Sequence, residues 1–271
     1  MSRILCVANQ KGGVGKTTTV INLATALALS EQKTLVVDMD PQGNLTSGVG
    51  LKGQAGAAGT IYQALTAPEP IEDPTTYILD TQVKDLWLIP ADRHLTGAEV
   101  ELVNLPNREG RLRQILNPLR DRFDFILIDS PPSLGLLTLN ALVAADAVLI
   151  PLNCEYFALE GIADLVATLR RVRGALNPTL DLAGVLMTMY DERTNLGQQV
   201  SKDIREFFKE RVFDTVIPRN VRLGEAPSHG LPAILYDVKS RGSEAYLALA
   251  RELLAREAAA PAASTEPHHH G

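Results

Sequence analysis

Eight consecutive residues, Lys11-Gly12-Gly13-Val14-Gly15-Lys16-Thr17-Thr18, have the types and spacing for phosphate chemistry. Three glycines within four positions let backbone N–H groups converge on an anion, and Lys16 sets a full charge against the outer phosphate oxygens. Thr17 offers a hydroxyl to Mg2+. The ordinary P-loop pattern G-x-x-x-x-G-K-[ST] wants glycine at position 10, where this chain has Gln10, and a second lysine, Lys11, stands at the loop entrance. One lysine satisfies an ordinary loop, so the second calls for a phosphate or a partner of its own. Farther along, the apolar run Phe125-Ile126-Leu127-Ile128 ends in Asp129. A carboxylate there is suited to hold the hydration shell of magnesium opposite Thr17, because a hard ion prefers oxygen ligands.

These residues need strands that end in loops and helices that begin there. Ile4-Leu5-Cys6-Val7-Ala8 reads as a strand into the glycine loop, and Thr17 to Leu29 as the helix out of it, whose positive end faces the anion. Thr34 to Asp38 is a short buried strand that delivers Asp38-Met39-Asp40-Pro41-Gln42-Gly43-Asn44 at its carboxyl end, where ligands bind in open α/β sheets. Further strands are expected at 86–90, 123–129, 147–151, 182–190 and 212–217. Helical spacing spans 17–29, 97–105, 109–119, 134–145, 159–176, 196–209 and 243–258. Trp87 is expected in the core, and the five glycines of 48–59 form a mobile surface loop. The alternation predicts a single α/β domain with a mostly parallel, twisted β-sheet and helices on both faces.

With 45% hydrophobic and 21% charged residues over 271 positions, the composition is that of a soluble domain, and no apolar run reaches bilayer length. The start, Met1-Ser2-Arg3, has no signal-peptide layout, and Cys6 and Cys154 lie in or beside apolar runs, so a cytoplasmic chain with reduced thiols is expected. The net charge of −6 is uneven: Arg193 to Arg251 carries ten Lys/Arg against seven Asp/Glu, which makes it +3 and leaves the remainder at −9. A local basic face of that size can hold a polyanion, and a solvated surface is the alternative.

Taken together, Lys11 to Thr18, the Asp38 to Asn44 loop, Ile128-Asp129-Ser130-Pro131-Pro132-Ser133, Glu155 to Gly161 and Val216-Ile217-Pro218-Arg219-Asn220-Val221-Arg222 resemble the ParA/Soj partitioning ATPases, from about residue 3 to 255. The glycine loop by itself only resembles the wider set of ATPases with a deviant Walker A loop. The resemblance implies a P-loop NTPase fold over residues 1–257, and the low-complexity composition of 258–271 predicts a disordered tail. The resemblance implies an ATPase in which Lys11 reaches across a nucleotide-sandwich homodimer, Lys16 neutralises β- and γ-phosphate oxygens, and Asp40 orients or activates water. Gly12, Gly13, Val14, Gly15, Thr17 and Thr18 would complete the cradle, with Gly12 small because a partner backbone closes over it. Thr17, Asp38 and Asp129 would surround hydrated Mg2+, and for Asp38 a strand-end cap is the competing role. Pro218 and Asn220 resemble an adenine-contacting loop, against the alternative of a rigid turn. The resemblance further implies non-specific double-stranded DNA binding by the ATP-bound dimer through Arg193 and Arg222; Lys202, Arg205 and Arg241 are candidates to extend that patch, and a surface salt bridge is the competing role for each arginine. The resemblance also implies a ParB-type partner that stimulates hydrolysis, and a place on the nucleoid. The runner-up is a MinD-like membrane-associated positioning ATPase, against which the balanced charges of residues 245–257 argue. A metabolic ATP-dependent ligase or reductase is a third class.

Overall fold

The computed structural model describes residues 2–155 and 160–259. Tyr156 to Leu159, inside one of the blocks that carry the resemblance, and residues 260–271, most of the expected tail, lie outside the described residues. The elements run β1 (Arg3–Val7), α1 (Lys16–Leu29), β2 (Thr34–Asp38), α2 (Asn44–Gly48), α3 (Ile61–Thr66), β3 (Leu79–Asp80), β4 (Leu86–Ile89), α4 (Leu95–Glu101) and α5 (Arg111–Leu116). They continue with β5 (Phe125–Asp129), α6 (Leu136–Ala144), β6 (Ala147–Asn153), α7 (Glu160–Ala175), β7 (Asp181–Thr188), α8 (Asn195–Phe208), α9 (Val221–Glu225), α10 (Ala233–Tyr236) and α11 (Arg241–Ala259).

The strands form one sheet in the order β3-β4-β2-β5-β1-β6-β7, parallel except for β3, which pairs antiparallel with β4 at the edge. Because the central strands are covered on both faces, they are apolar throughout and their alternate residues feed two separate cores. Ile4 and Cys6 of β1 join Ile126, Ile128, Val148 and Ile150 under α3 to α8, whereas Leu5 and Val7 join Leu127 and Leu149 under α1, α10 and α11. Helix α1 lies between the sheet and α11 and is buried nearly all round. Its hydroxyl Thr19 Oγ1 meets Tyr246 Oη of α11 at 3.1 Å inside that core.

The expected strand 212–217 does not form. Only its two ends pair with β7, Phe213 N–H donating to the Val185 carbonyl (2.9 Å) and Ile217 N–H to Met187 (2.8 Å). Between them, Asp214 and Thr215 donate their N–H groups to the Glu252 carboxylate of α11, both at 2.8 Å, so a side chain takes the bonds a ladder would need. Trp87 is half-buried rather than core, since β4 lies one strand from the edge. Its ring packs edge-on to Phe123, and its indole N–H donates to Asp80 at 2.8 Å. Both cysteines are free, Cys6 buried in β1 and Cys154 half-buried after β6.

Candidate functional site

The sheet order puts β1 between β5 and β6, and β5 between β1 and β2, so the loops leaving β1, β2 and β5 open at one end of the sheet. The loop after β1 turns through Gly13 (φ +73°) and Gly15 (φ +87°), both in the region that glycine alone enters readily. An added Cβ on Gly12 or Gly13 would meet nothing within 4 Å, so the mouth of the loop is open. Two side chains brace the loop. Asn9 Nδ2 donates to the Pro151 carbonyl of β6 (2.7 Å) while its Oδ1 accepts from Lys11 N–H (3.0 Å). Thr188, the last residue of β7, donates its hydroxyl to the Val14 carbonyl at 2.8 Å.

Helix α1 starts at Lys16 with no side-chain cap and no acidic residue in its first turn, which leaves its N–H groups for an anion. Lys16 is buried, and its ammonium donates to the Lys11 carbonyl across the loop at 3.3 Å. Burial lowers its pKa, opposed by the charges of Asp129 and Asp40. The Lys11 side chain takes another course: its ammonium donates to Glu155 Oε2 at 2.9 Å and to Asn153 Oδ1 at 3.4 Å.

Asp38 and Asp129 are register partners on the adjacent strands β2 and β5, and both are fully buried. Asp38 is held as a strand-end cap, accepting from Thr46 N–H (2.9 Å), the Thr46 hydroxyl (2.7 Å) and Asp40 N–H (3.2 Å). Burial pushes its pKa up to about 6 in spite of those bonds. Neither oxygen of Asp129 has a hydrogen-bond partner of ordinary geometry. Burial first, and the Asp38 charge second, raise its pKa well above the carboxylate range, opposed by the Thr17 hydroxyl and more weakly by Lys16. A buried carboxylate with both oxygens unpartnered, beside a hydroxyl and a lysine at a helix start, is a group arranged for a cation. Asp40 accepts Gln42 N–H on one oxygen (2.9 Å), leaving the other for a ligand or water. No group of three or more His, Cys, Asp or Glu side chains is set for a metal among the described residues, so an ion held by Asp129 and Thr17 would need further oxygen ligands from phosphate and water.

Pro218 and Asn220 line a cavity of about 370 Å3 with Gly15, Thr18, Thr188, Met189, Val221 and Tyr246, next to the helix start. Asn220 Oδ1 caps α9 by accepting Arg222 N–H (2.9 Å), so the loop is both a rigid turn and a wall of the cavity. Arg193 lines a separate cleft of about 560 Å3 with Arg219 and Arg241, while Arg222 sits on α9. Both are paired with acids: Arg193 Nη2 to Asp191 at 2.6 Å, and Arg222 to Glu225 at 2.8 Å and Asp237 at 3.3 Å. Lys202 and Arg205 face Glu206 and Asp214, both at 3.8 Å.

Sequence reasoning passes over Asn9, Thr46, Thr188 and Asn153. Asn9 has a legible signal in its adjacency to the loop, whereas Thr188 carries none, since its partner is 174 residues away.

An AAA-domain family model matches residues 2–182. The chain is 57% identical over 257 residues to the chromosome partitioning protein ParA of Myxococcus xanthus, covering 95% of this chain and 89% of that one. It is 51% identical over 255 residues to the sporulation initiation inhibitor protein Soj of Bacillus subtilis, covering 94% and 99%. Among solved structures it is similar to cobyrinic acid a,c-diamide synthase from Mycobacterium smegmatis with bound ADP and magnesium, at 36% identity, a TM-score of 0.82 and 96% coverage of each chain.

Proposed function

The chain belongs to the ParA/Soj family of chromosome-partitioning ATPases, and from that premise we propose a nucleotide-switched, DNA-bound cycle. It is an ATPase with ATP and Mg2+ as its cofactors. When bound, the ion offsets charge on the phosphate oxygens. Thr17 and Asp129 would hold it, and Asp38 adds a second negative charge beside Asp129. The open glycine loop and the start of α1 bind the phosphate chain through N–H groups, Lys16 neutralises its outer oxygens, and Asp40 orients water for attack. The cavity walled by Pro218, Asn220 and Tyr246 takes the base.

Lys11 carries the reading beyond a single-chain ATPase. Lys16 alone spans the loop of its own chain, and the Lys11 ammonium is turned aside to Glu155 and Asn153. A lysine at the loop entrance whose ammonium docks on Glu155 and Asn153 rather than on its own loop is the candidate to serve the phosphates of a second copy. In the proposed cycle two ATP-bound chains close face to face, exchange their Lys11 side chains, and present basic residues, Arg193 and Arg222 among them, to double-stranded DNA. Hydrolysis, stimulated by a ParB-type partner, releases the pair.

DNA retention with ATP, ADP and no nucleotide, measured across a salt series, tests this. Retention with ATP alone, falling steeply with salt, is expected; equal retention in all three states overturns it. A liposome arm tests the MinD-like alternative. The apolar face of α11 counts against that alternative, since Tyr246, Leu249, Ala250 and Leu253 are buried in the core shared with α1. No helix among the described residues is long and apolar enough to cross a membrane.

A further inference from the structure

We propose that Glu155, with Asn153 beside it, is a positioning residue for Lys11. In the single chain it holds the Lys11 ammonium back, and so sets how readily two ATP-bound chains pair. The inference rests on the two-chain reading above. Lys11 is fixed at three points within its own chain. Its N–H donates to Asn9 Oδ1, its carbonyl accepts from Lys16, and its ammonium docks on Glu155 at 2.9 Å and Asn153 at 3.4 Å. Only the third attachment has to break for the ammonium to cross to a neighbour. Asn153 is the last residue of β6, which pairs directly with β1, so half of the dock belongs to the same sheet as the loop.

The Lys11 and Glu155 side chains are 35% and 53% exposed, and a pair open to water biases a side chain without locking it. Glu155 also has somewhere to go. With Arg219 and Asn153 it lines a cavity of about 280 Å3, and among the described residues no carboxylate lies within 4.0 Å of Arg219. When Lys11 leaves, the carboxylate keeps a cation nearby, so departure does not strand a charge. Arg219 stands between Pro218 and Asn220 in the wall of the base cavity, so the dock and the base share one loop.

Glu155→Gln keeps the shape and removes the charge. Its effect is read as the dissociation constant of the ATP-bound pair by sedimentation, in an Asp40→Ala background that holds ATP. An exposed ion pair corresponds to about a two- to five-fold bias per chain, and two docks open per pair, so the constant should fall about four- to twenty-five-fold. ADP affinity of the single chain should stay within about two-fold, and Glu155→Asp should lie between the parent and the Gln variant. An unchanged or weaker pairing of Glu155→Gln, beside a parent that pairs normally, overturns the dock alone. A parent that stays single in saturating ATP overturns the two-chain reading beneath it.

Discussion

At the scale of single residues, the site is built on a tension between two carboxylates. Asp38 is satisfied by Thr46 and Asp40, but Asp129 is left bare beside it, and both are driven toward the protonated form. A carboxyl whose folded pKa lies above its unfolded value of about 3.9 stabilises the chain fully below that pH. The contribution is lost as pH rises, through about 6 for Asp38 and further for Asp129. Asp129→Asn should therefore melt with the parent near pH 3 and above it at pH 7.5, by about 1–3 kcal/mol in the nucleotide-free state. A gap that does not widen with pH would count against an ionised, unpartnered Asp129. The same substitution should weaken Mg2+-dependent ATP binding. Lys16→Ala should abolish nucleotide binding in a calorimetric titration. Asp40→Ala should bind ATP within a few-fold of the parent while phosphate release drops by about 100-fold or more. Normal turnover in that variant would remove Asp40 from the mechanism.

At the scale of elements, the phosphate loop is shaped by its supports as much as by its glycines. Thr188→Val removes the hydroxyl that the buried Val14 carbonyl accepts, without changing shape, so a stability loss of about 1–2 kcal/mol is expected in a denaturant titration. A KM for ATP raised with kcat kept would mark Thr188 as a brace of the loop. The loop, its strand and its helix are legible because all three signals are local: an apolar run, glycines at fixed offsets, and a helical stretch. Thr60 and Gln63 form a capping box that announces α3 just as locally, although the glycines just before it draw the eye to a loop. The 212–217 segment reads as a strand because its apolar residues do belong to a buried edge. The competitor for its N–H groups, Glu252, lies on a helix 37 and 38 residues later, and no pattern in the segment reveals it. Two-residue β3 has no period to read, and the pairing of Asp38 with Asp129 depends on sheet order, which sequence leaves open.

At the scale of the whole molecule, charge is less free than the sequence count implies. Of the ten Lys and Arg side chains from Arg193 to Arg251, five are in ion pairs, so among the described residues a single chain presents about half of that charge uncommitted to a polyanion. Arg219 and Arg241, without carboxylates in reach among the described residues, lie in the cleft that also holds Arg193. A polyphosphate must displace Asp191 from Arg193, and Glu225 and Asp237 from Arg222, which makes capture depend on several arginines acting together. Arg193→Glu combined with Arg222→Glu should abolish ATP-dependent DNA retention while the pair still forms. Arg241→Ala alone should lower the slope of log affinity against log salt by about one per chain. Retention by the double variant at moderate salt would place the DNA face elsewhere.

The bond between Thr188 and Val14 has a consequence for the chain as it is being made. Everything local to the cradle is synthesised within the first 30 residues or so, yet its brace leaves the ribosome 174 residues later, and the base-cavity wall at Pro218, Asn220 and Tyr246 later still. The nascent chain lacks this brace until Thr188 has emerged, so tight nucleotide capture is expected only late in synthesis. A chain truncated at residue 182, where the AAA-domain match ends, should bind ATP at least about ten-fold more weakly than the full chain. One that binds normally would show that the cradle assembles without its distant brace.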